Sequence, residues 1–369
     1  MNNIAVIEVV IADRRVGRLA LTPDYLCGFE YDADWIINGF SISPYYLPLK
    51  AGLQMAKRDP FRGGFGVFDD SLPDGWGNLI LDRYFTQHNI NPQKLTLLQR
   101  LALIGSTGRG ALEYLPDKSI ASEESFLDFD RLAAEIDMIL SDREGNISVD
   151  ELYRYGGGSS GGARPKVLTT IDGSHWLVKF RATNDPQDIG ETEYKYSVLA
   201  KECGINMSET KLFSGKYFGT ERFDRTNKGK IHTISAAGLL NADYRIPSLD
   251  YSLLMKLTLN LTRDMQQVAQ MFRLMVFNII ISNRDDHAKN FSFQYVNGNW
   301  KLSPAYDLLP SSGFNGYHTT TINGQGEPTS KDIIAVATEI GLPTNQAKEI
   351  IEQVTDVCQK NKMTKFNLK

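Results

Sequence analysis

Cysteine is nearly absent. Cys27, Cys203 and Cys358 are the only three in 369 residues, scattered and odd in number. They form neither a disulfide framework nor a zinc ligand set, and read as buried or incidental thiols in a reducing compartment. Excess charge is lacking as well. The 40 basic and 44 acidic side chains leave a net charge of −4. That balance excludes a protein that holds nucleic acid through its overall charge, though a local basic face is compatible with it. Long apolar runs are missing: the longest, near Leu274–Ile281, is far too short to span a bilayer. The start, Met1-Asn2-Asn3-Ile4, has no basic region, and Glu8 and Asp13 interrupt the apolar residues that follow, so it reads as a strand rather than a signal peptide. No repeat or low-complexity segment occurs. A soluble, cytoplasmic protein without a membrane partner is expected.

The chain has well-punctuated elements. Residues 4–11 and Val16–Leu21 read as strands around a turn at Asp13-Arg14-Arg15. Short β-like pieces follow at Phe40–Ser43 and Tyr45–Leu47, giving a small β-rich start. Helices are expected over Leu79–Phe85, over Leu95–Leu103 up to Gly105, and over Phe129–Ser141. Gly105–Gly110 reads as a connecting loop or, less simply, an anion cradle. Leu152–Tyr155 reads as a strand entering the glycines at 156–162. Val167–Ile171 and His175–Phe180 form a hairpin at Asp172-Gly173. A helix over Glu191–Cys203 and a hairpin around Ser214-Gly215 come next. From about 250 the chain is mainly helical (250–260, 264–281, 330–340, 343–361), interrupted by a hairpin at Asn297-Gly298.

One stretch resists explanation as packing. Asn283-Arg284-Asp285-Asp286-His287-Ala288-Lys289-Asn290 sets two carboxylates, an imidazole, an ammonium and two carboxamides at the end of an apolar helix. Asp285 and Asn290 have the D-x-x-x-x-N spacing of a kinase catalytic loop. There Asp accepts the hydroxyl proton of the acceptor, and Asn offers a neutral oxygen to Mg²⁺. Lys289 could stabilise charge on the γ-phosphate. The spacing leaves open whether Asp286 and His287 shape the loop or touch substrate.

Three further features stand in kinase order. Gly156, Gly158 and Gly161 satisfy G-x-G-x-x-G, but Pro165 and the β-branched residues after it predict a strand rather than the helix of a dinucleotide site. A glycine loop between strands covers nucleotide phosphates. Lys179 is a charge in an otherwise apolar strand, with Glu193 on the next helix as candidate partner. Asp307 lies beyond the Asn297-Gly298 hairpin, which should return it beside Asn290 as a second Mg²⁺ ligand.

These residues resemble the HipA-like serine/threonine kinases, the toxin members of bacterial toxin–antitoxin pairs, along the whole chain. Leu72-Pro73-Asp74-Gly75-Trp76-Gly77 and Gly110–Tyr114 resemble that family's N-terminal region. Ser159-Ser160-Gly161-Gly162-Ala163-Arg164-Pro165-Lys166 resembles its glycine-rich loop, Glu221–Arg225 its hinge, and Asn283–Asn290 with Tyr306-Asp307 its catalytic and metal loops. Arg164-Pro165 departs from the Gln-Glu of the best-known members. The resemblance implies an α+β, two-lobed HipA-like kinase fold: a β-rich N-terminal lobe with a small β subdomain, and a mainly α-helical C-terminal lobe. The expected divisions are an N-terminal subdomain over 1–110, a nucleotide-binding part over 111–245, and a helical lobe over 246–369.

The resemblance also implies roles. Asp285 would be the catalytic base, supported by Lys289. Asn290 and Asp307 would hold Mg²⁺. ATP would meet Gly158, Ser159, Ser160, Gly161, Gly162, Lys166, Lys179 and His287, with its adenine against the backbone of Glu221 and Phe223. Ser159, or Ser160, would be autophosphorylated, and the added charge would repel nucleotide. The substrate would be a translation component such as an aminoacyl-tRNA synthetase. The partner would be a HipB-like helix-turn-helix antitoxin, through which DNA is met only indirectly. Three other readings share these residues: a small-molecule kinase, a catalytically idle nucleotide-binding module, and a metal-dependent hydrolase using Asp285, Asp286, His287 and Asp307.

Overall fold

The computed structural model describes residues 4–120, 128–141, 149–154, 162–313 and 315–365. The chain divides into two compact units. The first comprises Met1–Glu191, Glu209–His232 and Gly238–Asn241; the second comprises Thr192–Ser208, Thr233–Ala237 and Ala242–Lys369.

The two larger sheets of the first unit are antiparallel. Strands β1 (Val6–Ile11), β2 (Arg14–Leu21), β3 (Cys27–Tyr31), β4 (Gln54–Met55) and β5 (Glu113–Leu115) lie in the order β4-β3-β2-β1-β5. Alternation along β1 and β2 turns Ile7, Val9 and Leu19 inward, and Val16 is buried at a register shift between the two strands, where Phe29, Phe68 and Tyr114 fill the core. The Tyr114 hydroxyl donates to Ser71 Oγ at 2.6 Å. The helix expected over Leu95–Leu103 spans Leu97–Ile104; a capping box of Thr96 and Gln99 opens it, and Gly105 closes it as expected. The pieces expected at Phe40–Ser43 and Tyr45–Leu47 form only an isolated bridge, Ser43 to Leu47. Pro44 and Pro48 supply no ladder donors there.

The second sheet contains β6 (Lys166–Ile171), β7 (Ser174–Lys179), β8 (Thr210–Phe213) and β9 (Tyr217–Glu221) in the order β6-β7-β9-β8. Asp172 and Gly173, both at positive φ, make the expected two-residue turn. The helices Gly75–Gln87 and Phe129–Leu140 supply Trp76, Ile80, Phe85, Leu132 and Ile136 to one hydrophobic core with Val167, Trp176, Val178 and Phe180 of this sheet. Each such side chain contributes about 1.5–3 kcal/mol on burial. The strand expected at Leu152–Tyr155 is corrected by the structure. Val149–Arg154 is helical, and Tyr153 is buried with its ring stacked on Tyr84, centroids 4.6 Å apart. Tertiary packing here overrides the β propensity of the short apolar run.

The second unit is mainly helical. Met265–Ile280 is its axis, with nearly every residue from Met271 onward buried. The helices Tyr251–Thr262 and Thr344–Lys360 pack on it, and Ser330–Ile340 packs on both of these. A three-stranded sheet orders His232–Ser235, Ser292–Val296 and Asn299–Leu302. All three cysteines are buried and reduced, with Cys203 and Cys358 sulfurs 3.9 Å apart. Among the described residues, no helix is long and apolar enough to cross a membrane.

Candidate active site

The axial helix ends at Ile281, and Ser282 takes a positive φ of 54° that turns the chain into the polar stretch. Asp285 is exposed at its crest. Asn290, at the end of the short 3₁₀ turn Ala288–Asn290, donates from Nδ2 to the Asp285 carbonyl at 2.6 Å. A carbonyl can only accept, so the amide is oriented with its nitrogen toward Asp285. Oδ1 is then the atom left to meet a cation.

Asp286 has a different task. It is 1% exposed. Its Oδ2 accepts from the Tyr251 hydroxyl at 3.0 Å and from His318 Nδ1 at 2.8 Å, and its Oδ1 accepts from the backbone N–H of Thr319 and Thr320. Both oxygens are occupied from behind the loop, so Asp286 shapes it and touches no substrate. This removes Asp286 from the four residues that the hydrolase reading requires. Burial, followed by the charge of Asp286, holds the Tyr251 hydroxyl well above the ordinary tyrosine range.

The network continues to Asp307. Tyr251 Oη accepts from Asn278 Nδ2 at 3.0 Å, and Asn278 Oδ1 accepts from Asn283 Nδ2 at 3.1 Å. The same Asn283 nitrogen donates to the Asp307 carbonyl at 3.1 Å. Beside it, the Tyr306 hydroxyl donates to the Lys289 carbonyl at 2.5 Å. Asp307 is thus tied to the loop at Asn283, and its neighbour Tyr306 at Lys289. Asp307 is exposed and held at a φ of 56°, a conformation costly for a non-glycine residue unless its surroundings impose it. The Lys289 ammonium lies 4.2 Å from the centre of the Tyr244 ring. His287 is half-buried with its ring 5.8 Å from that of Tyr244, and its Nδ1 is buried without a hydrogen-bond partner.

Apart from His287, the nucleotide residues expected from the sequence belong to the first unit. Gly158, Ser159, Ser160 and Gly161 lie outside the described residues. Lys166 begins β6 and Lys179 ends β7, directly opposite each other in the pairing, with exposures of 4% and 9%. Lys179 Nζ sits 5.7 Å from the Phe218 ring centre. Glu193, its candidate partner, is buried in the second unit. Glu221 ends β9, and Phe223 follows with the Arg109 guanidinium 5.8 Å from its ring centre.

The sequence reading did not reach the clamp beside this hinge. Asp224 is buried and accepts from Arg222, Arg225 and the Gly110 N–H. Burial opposes its charge, but the two guanidiniums and these hydrogen bonds hold its carboxyl well below the usual range. The carbonyls of Gly108 and Gly110 accept from Arg222 and Arg225. Gly105–Gly110 is thus a connecting loop whose N–H groups meet the chain's own carboxylates, Ser106 with Asp117 and Gly110 with Asp224. Asn278, a carboxamide within an apolar helix, was the one sequence signal that could have pointed to the network of the second unit.

Two family descriptions match the chain. The HipA N-terminal domain matches residues 7–115, and the HipA-like C-terminal domain matches residues 158–361. The chain is 27% identical over 170 residues to a Sinorhizobium fredii protein named "Putative kinase Y4dM", covering 41% of each. It is 28% identical over 169 residues to Toxin YjjJ of Escherichia coli, covering 42% of this chain and 38% of that one. The matches therefore span about two fifths of the length of these curated relatives. The structure resembles HipA from a Shewanella oneidensis toxin–antitoxin complex with HipB and operator DNA, with a TM-score of 0.71 at 18% identity over 97% of this chain and 91% of that one.

Proposed function

The chain belongs to the HipA family and has its two-lobed kinase fold, and from this premise we propose that it is an ATP- and Mg²⁺-dependent protein kinase that phosphorylates a serine or threonine hydroxyl. The observation that carries the reading is the Asn290 to Asp285 hydrogen bond at 2.6 Å, which ties the proposed metal ligand to the proposed base. Asp285, exposed on a loop anchored from behind by Asp286, would accept the proton of the attacking hydroxyl. Asn290 Oδ1 and the Asp307 carboxylate are hard oxygen donors, the class that Mg²⁺ takes alongside substrate phosphates. Bound Mg²⁺ would neutralise charge on those phosphates. Lys166 and Lys179 would bind the phosphates, and the Glu221–Phe223 backbone the adenine. Lys289, held at the Tyr244 ring, would support the charge on the transferred group.

As a toxin, the protein would act on a translation component such as an aminoacyl-tRNA synthetase, be restrained by a HipB-like helix-turn-helix antitoxin, and be inhibited by phosphate on Ser159 or Ser160. The deciding experiment is Asp285→Asn, assayed for transfer from labelled ATP and for growth arrest on expression. Loss of a positioned base lowers transfer by about 10²–10⁴-fold; full activity in this variant would overturn the reading.

A further inference from the structure

Asp74 occupies the N-cap position of the helix Gly75–Gln87, where an aspartate ordinarily caps the first turn of its own helix. Here its side chain makes no such bond. Its carboxylate instead accepts the backbone N–H of Gly162, 88 residues along the chain. Trp76 reinforces the junction. Its backbone N–H donates to the Gly162 carbonyl at 3.1 Å, and its indole donates to the Lys166 carbonyl at 3.2 Å. Gly75 lets the backbones meet: a Cβ there would lie 2.6 Å from the Gly162 carbonyl oxygen and 2.8 Å from Ala163 Cα.

The clasp fixes the point at which Lys166 leaves the backbone. The Lys166 ammonium packs so closely on Gly162 that a Cβ on that glycine would stand 2.6 Å from Nζ. Lys166 pairs in register with Lys179, and both are buried. Two ammonium groups side by side on one sheet face are of the charge and spacing that polyphosphate oxygens meet.

We propose that Asp74 is a positioning residue for the phosphates of the nucleotide, acting through Gly162 to set Lys166; the proposal rests on the kinase reading above. Asp74 touches no nucleotide in this account. It fixes the exit of the glycine-rich segment with a charge-assisted bond, stronger than one between neutral groups.

The test uses the full chain. Mg-ATP affinity is measured by calorimetry for the unmodified protein, Asp74→Ala and Asp74→Asn, with amide hydrogen exchange followed at Gly162. Asp74→Ala should weaken Mg-ATP binding about tenfold, the effect of one lost hydrogen bond to a charged group, and speed exchange at Gly162. Asp74→Asn keeps an acceptor oxygen and should recover most of both effects. Unchanged affinity in Asp74→Ala, or equal losses in the two variants, overturns the assignment. If the unmodified chain takes up no Mg-ATP, the kinase reading itself falls and the role of Asp74 falls with it; that failure is distinguished by appearing without any substitution.

Discussion

Asn290 Nδ2 lies 2.6 Å from the carbonyl oxygen of Asp285. The bond closes the catalytic loop on itself, so the proposed metal ligand and base move as one piece. With the proposed cation contact, Asn290 would have two duties, one for each end of its amide, and the duties can be separated. In Asn290→Asp a carboxylate keeps an oxygen for the cation but sets negative charge against the Asp285 carbonyl. If cation binding were its only duty, Asp would serve as well as Asn. The double role predicts instead that Asn290→Asp loses about 10-fold in transfer rate, the order of magnitude of one lost hydrogen bond. Single-turnover kinetics at saturating Mg²⁺ measure this.

Asp286 carries a stability prediction. Its replacement by Ala leaves the Tyr251 hydroxyl, His318 and the N–H groups of Thr319 and Thr320 without their acceptor. The expected loss is about 3 kcal/mol, since buried donors left unmet each cost on the order of 1–3 kcal/mol. Urea denaturation followed by tyrosine and tryptophan fluorescence reads it. A midpoint equal to that of the unmodified chain would show that the network does not hold the loop.

His232 sets a pH dependence. It is 3% exposed, with Nε2 donating to the Ile42 carbonyl at 2.9 Å, and burial pushes its pKa from 6.5 to about 4. The unfolded chain therefore binds a proton at this residue in a range where the folded chain does not. The stability is fully present above about 6.5 and is lost as pH falls toward about 4. The loss is roughly 3 kcal/mol across that window. In His232→Gln, which keeps a donor for Ile42, denaturation midpoints compared at pH 7 and pH 5 should show a smaller decline than in the unmodified chain.

Much of the architecture was legible because its punctuation is local. Asp172-Gly173 and Asn297-Gly298 mark their hairpins by chemistry alone. Gly105 stops a helix, and the apolar residues before Ser282 could only be a buried one. The catalytic spacing of Asp285 and Asn290 was readable for the same reason, being contained in one loop. Val149–Arg154 was misread because a short apolar run takes its conformation from its neighbours, here Tyr84 beneath Tyr153. Asp74 with Gly162, Asp224 with Gly110, and Asp286 with His318 were out of reach, since each pairs residues distant in the chain. A single sequence shows Asp74 and Asp224 as ordinary polar residues and leaves the role of Asp286 open.

The core shared by Trp76, Ile80 and Phe85 with Val167, Trp176 and Phe180 has a practical consequence. The two stretches are recognised as separate family domains, yet neither completes that core alone. Modularity in inheritance is here not modularity in folding. A gene trimmed to the second stretch would encode a sheet with one oily side bare, a substrate for chaperones and proteases rather than a minimal enzyme.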